Sequence, residues 1–97
     1  VIWGEETEVK LRFSPEVTRR AKESIWHPSQ VVEDLPDGGC ILTMRVGNTL
    51  EMTPWIRGWG PNVEVLEPQE LREEFVRYAR GFWQMYKPAG LEGAENG

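Results

Sequence analysis

Arg12 and Arg45 are the side chains of this sequence best placed to hold an anion. Each falls on the polar side of an alternating run. Two guanidinium forks on one face of neighbouring strands can grip a phosphate or carboxylate bidentately. The same positions also suit a solvated sheet face shared with Glu8, Lys10 and Thr43. His27 is the sole histidine, so no His–His or His–Cys metal pair is available, and Cys40 has no companion ligand near it in sequence. A catalytic base needs a nucleophile and an orienting group in one place, and Ser29 two residues away does not supply that constellation. We therefore expect no metal, no cofactor and no enzymatic activity. His27, Ser29 and Gln30 suit hydrogen bonds to a neighbouring domain instead. Trp26, in the same connection, and Trp83, beside the apolar stripe of the last helix, are further candidates for contact with a ligand or partner. Trp55 and Trp59 have the spacing of core residues.

These residues must be positioned by a short series of elements. Val9, Leu11 and Phe13 alternate with Glu8, Lys10 and Arg12, which predicts a half-buried strand over Thr7–Phe13. Ser14-Pro15-Glu16 is a helix start, and Val17, Ala21 and Ile25 recur at four-residue spacing as a sheet-facing side ending near Ser24. Arg19, Arg20 and Lys22 form a basic group that reads as a solvated helix face. A strand is expected from Gln30 to Leu35, a tight turn at Pro36-Asp37-Gly38-Gly39, and a strand with Cys40, Leu42, Met44 and Val46 on its inner face. Asn48 and Glu51 resemble a capping box, but Pro54 breaks the first turn of the helix that follows. Trp55, Ile56 and Trp59 are its buried side, Gly60 its left-handed exit, and Asn62–Leu66 the fourth strand. From Pro68 a long amphipathic helix carries Leu71, Phe75, Tyr78, Ala79, Phe82 and Tyr86 along one side, and Lys87-Pro88 stops it.

The order strand, helix, strand, strand, helix, strand predicts an α+β, ferredoxin-like βαββαβ sandwich with a four-stranded antiparallel sheet and an added C-terminal helix. At 97 residues there is room for one core only. We expect a linker over 1–6, the domain over 7–87 and a disordered tail over 88–97. The net charge of −5 argues against independent grip on duplex DNA. A single cysteine and no long apolar run point to a soluble cytoplasmic protein without a membrane segment.

Four pieces in order also resemble a known family: the run from Val9 to Glu16, Trp26 to Gln30, Leu35 to Gly39, and Trp55 to Arg72. They look like the WCX domain, the C-terminal extension of bacterial WYL-domain transcriptional regulators, over Glu8 to about Tyr86. Pro54 departs from the uninterrupted helix usual there. The resemblance implies a regulatory fragment whose parent carries a winged helix-turn-helix and a WYL domain, forms a homodimer and answers an unidentified effector, with single-stranded nucleic acid or another anionic ligand as the candidates. This part would contribute to dimer assembly and effector sensing or gating, without touching operator DNA. The opening on Val1 fits an excised piece or a processed start. An alternative is an RNA or single-stranded nucleic-acid module of RRM-like topology. Such modules stack bases on aromatics of the central strands, where this chain has Lys10, Arg12, Thr43 and Arg45. An acyl-phosphate hydrolase would want a glycine-rich anion loop after the first strand, where Ser14-Pro15-Glu16 stands instead.

Overall fold

A computed structural model describes residues 6–88; the linker expected over 1–6 and the tail expected over 88–97 lie mainly outside these residues. The alternating runs become β1 (Thr7–Phe13) and β3 (Cys40–Val46), whose register pairs Val9 with Met44, Leu11 with Leu42 and Phe13 with Cys40. All six side chains are buried, and each of the larger ones contributes about 1.5–3 kcal/mol by leaving water. Cys40 is a free thiol inside this core. β2 (Val31–Asp34) pairs antiparallel with β3, and β4 (Val63–Glu67) with β1, giving the sheet order β2-β3-β1-β4. This is the antiparallel sheet of the ferredoxin-like arrangement that the order of patterns predicts.

The turn between β2 and β3 is fixed by three hydrogen bonds. Gly38 N donates to Leu35 O at 3.0 Å, Leu35 N to Gly39 O at 2.9 Å, and Gly39 N to the Asp37 carboxylate at 2.8 Å. Gly38 sits at φ +94°, a conformation side chains other than glycine rarely adopt.

α1 (Pro15–Lys22) follows the Ser14-Pro15 start and places Thr18 and Ala21 against the sheet. It ends two residues earlier than the periodicity suggests. The chain turns away after Lys22, so Ile25, expected to face the sheet, is 82% exposed. Lys22 Nζ reaches Asp34 Oδ1 at 2.7 Å and ties the helix end to β2. The Asn48 side chain caps a short 3-10 turn, Thr49–Met52, by accepting the Leu50 amide at 3.0 Å. Pro54 then stands in the first turn of α2 (Thr53–Arg57), so the break expected from the proline takes the form of a 3-10 segment before the α-helix. Ile56 is fully buried, and Gly60 takes the left-handed conformation at φ +65°.

α3 (Gln69–Tyr86) packs beside β4 through Leu71 and Phe75, and Arg72 bonds both the Glu64 carboxylate and the Val65 carbonyl. The expected apolar stripe is covered only in its first half. Eighteen residues of helix rise about 27 Å, whereas the five of β4 extend about 17 Å, so the helix outruns the sheet. Residues 79–86 are exposed throughout.

Candidate functional site

The connection from Trp26 to Gln30 organises one end of the domain, and most of its polar groups are used internally. The Gln30 side-chain oxygen accepts the amides of Trp26 at 2.6 Å and His27 at 3.2 Å, while its Nε2 donates to Ser24 O at 3.3 Å. Gln30, expected to reach a neighbouring domain, thus holds its own loop closed. The Ser29 amide donates to His27 Nδ1 at 3.1 Å. The Ser29 oxygen accepts the Arg45 amide at 2.9 Å, and its own proton reaches His27 Nδ1 at 2.8 Å or Arg45 O at 3.4 Å.

Trp26 belongs to an aromatic cluster. Its ring centroid lies 5.3 Å from that of Trp55 and 5.8 Å from that of Trp59, and its indole N–H donates to Ala21 O at 2.8 Å. Trp59 in turn meets Phe13 edge-on at 4.9 Å, with the Arg20 guanidinium 5.6 Å from its ring centroid. Trp55 and Trp59 are therefore packed on the core, as their spacing predicts, and Trp26 extends that cluster outward. Arg20, read from the sequence as solvated, contributes a cation–π contact.

Outside this cluster lies a cleft of about 290 Å³. Trp26 and His27 line it from the connection, and Glu51, Met52 and Trp55 from the 3-10 turn and α2. Buried Met44 and Val46 contribute from β3. Glu51 was legible as part of a capping box, but its carboxylate does not return a bond to Asn48; its amide donates to Asn48 O at 3.3 Å instead. The 3-10 geometry explains this, since the box requires a regular first α-turn.

Arg12 and Arg45 share the outer face of the sheet but do not converge. The register sets Arg45 opposite Glu8 and Arg12 opposite Ile41, four residues apart along the strand, or about 13 Å. Arg12 pairs with Asp37 at 3.3 Å. The Gly39 amide lowers the Asp37 pKa most, burial opposes it next, and the Arg12 guanidinium then adds to the lowering. Lys10 lies opposite Glu67 and Arg12 opposite Glu64, so cations and carboxylates alternate across this face, and no aromatic side chain of β1 or β3 is on it. That pattern suits a solvated surface better than a base-stacking platform.

A third surface is the free half of α3. Phe82, Trp83, Met85 and Tyr86 are 53%, 43%, 70% and 74% exposed. Trp83, expected beside the apolar stripe, is exposed together with three neighbours, which periodicity alone does not reveal. Beside them a groove of about 440 Å³ runs between the Gly60-Pro61 turn and α3, where Arg57 lies 5.0 Å from the Tyr78 ring centroid. Among the described residues no group of three or more His, Cys, Asp and Glu side chains gathers as a metal site, and no helix is long and apolar enough to cross a membrane.

Comparison with protein-family models matches residues 5–83 to the WCX domain. Comparison with curated proteins finds no match.

Proposed function

The chain belongs to the WCX domain family, and from that membership we propose that it is the regulatory C-terminal domain of a bacterial, cytoplasmic WYL-type transcriptional regulator. Its role is non-catalytic. It contributes to dimer assembly and to sensing or gating an effector, while operator DNA is held by a winged helix-turn-helix elsewhere in the parent. The family match carries this reading. The exposed aromatic half of α3 supports the assembly part of it, because four large apolar side chains on one short stretch are costly to leave in water unless another surface covers them. The alternating charges of the outer sheet face and the net charge of −5 support assigning duplex binding to another part of the parent.

The test compares the parent regulator with a form lacking residues 6–88 and with a Phe82→Ala/Trp83→Ala form. Operator binding is expected to persist in all three. Dimeric mass in light scattering, and the change in operator occupancy on adding short single-stranded DNA, are expected to fall in both altered forms. A truncated regulator that dimerises and responds like the intact one overturns the proposal.

A further inference from the structure

We infer that the cleft between Trp26, Trp55 and Glu51 is a binding site for a guanidinium group. Its lining combines features that point to a planar organic cation. Two indoles, packed on each other with centroids 5.3 Å apart and planes inclined at 51°, line it together with the His27 ring, and an indole is the side chain that best attracts a cation. Met52 adds a soft, polarizable wall. Glu51 is the one carboxylate of the lining, and no lysine or arginine accompanies it. Among the described residues the Glu51 carboxylate has no hydrogen bond or ion pair, unlike Glu64 and Asp34, which have theirs with Arg72 and Lys22. A carboxylate beside a flat aromatic surface matches guanidinium in two ways at once, through a bidentate hydrogen-bonded fork and through stacking. An ammonium, a compact and strongly hydrated point charge, uses only the first.

The volume, about 290 Å³, lies at the small end of ligand sites and suits one such group with a short alkyl stem. The connection is held in shape by the Gln30 and Ser29 hydrogen bonds, so the site requires little ordering on binding. This inference stands on the cleft alone and does not depend on the regulatory reading.

The test uses the 97-residue chain at low salt and follows the indole N–H signals of Trp26 and Trp55 by NMR. The probes are agmatine, a blocked Gly-Arg-Gly tripeptide, and the same tripeptide with citrulline, the neutral isostere of arginine, in place of arginine. Saturable shifts are expected with the two cations, weakening as salt rises, and none with the citrulline peptide. Glu51→Gln, at an exposed position, keeps the fold and is expected to weaken binding about tenfold, equivalent to ~1.4 kcal/mol. Tighter binding of the tripeptide assigns the guanidinium to a polypeptide side chain, and tighter binding of agmatine assigns it to a free small molecule; both support the site. Equal binding of the citrulline peptide, an undiminished Glu51→Gln variant, or no shift at ~10 mM of either cation overturns it.

Discussion

The Ser29 side chain takes the place of a strand partner for Arg45, whose amide donates to the Ser29 hydroxyl oxygen at 2.9 Å. Pairing of β2 with β3 ends at Val31 opposite Thr43, so continuing the ladder would set residue 29 opposite Arg45. The chain has already turned there, and a hydroxyl replaces the missing backbone carbonyl. Ser29→Ala removes this bond and the contact with His27, and is expected to cost about 1 kcal/mol. Urea denaturation gives the loss, and hydrogen exchange locates it. Unchanged protection of the Arg45 amide in the variant would show that the hydroxyl is not its partner.

Two glycines should respond oppositely to alanine. At Gly39 a Cβ would lie 2.5 Å from the Phe13 carbonyl oxygen, part of the central strand, so Gly39→Ala is expected to destabilise the domain by about 1–3 kcal/mol. At Gly81 in exposed α3 a Cβ meets nothing within 4 Å, so Gly81→Ala is expected to stabilise by about 0.5–1 kcal/mol through helix propensity. Thermal melts of the two variants check both signs.

Asp37 links the turn to acid stability. Its carboxylate is held below the ordinary aspartate range first by the Gly39 amide, against burial, which raises it, and then by the hydrogen bond and charge of Arg12. Because the folded-state value is the lower one, its contribution is fully present above the unfolded-state value. It is lost as pH falls through the depressed folded-state value. Arg12→Ala should therefore move the Asp37 titration only part of the way back, since the larger cause remains. An NMR titration in which the variant regains the full unperturbed value would reverse the assigned order of causes.

How far the sequence discloses this molecule depends on the range of the interaction involved. Val9, Leu11 and Phe13 are legible because a period of two states directly which side chains enter the core, and Gly60 because glycine before proline marks a left-handed exit. The Arg12–Asp37 pair joins residues 25 apart, and finding it requires the register of β1 on β3 and the position of the turn. The cleft is hidden for a related reason. Glu51 and His27 are 24 positions apart, and Glu51 matched a local capping pattern that the 3-10 turn then left unused. Ile25 and the end of α3 show the reverse failure. Helical spacing ranks the faces of a helix, but only the extent of the sheet decides how many turns are covered.

Trp59 and Trp83 provide the sharpest separation of folding from interaction. Trp59 is half-buried and packs on Phe13, Trp26, Trp55 and Arg20, so Trp59→Ala removes the central ring of the aromatic cluster and is expected to cost about 2–3 kcal/mol. Trp83 lies on the part of α3 that has outrun β4 and is 43% exposed, so Trp83→Ala is expected to change the stability of the isolated chain by under about 0.5 kcal/mol. If that surface is where the parent assembles, the same Trp83→Ala substitution lowers the dimer mass of the intact regulator while leaving the melting of this domain where it was. A large loss of stability in the isolated chain would instead place Trp83 in the fold's own packing and remove α3 as the assembly surface.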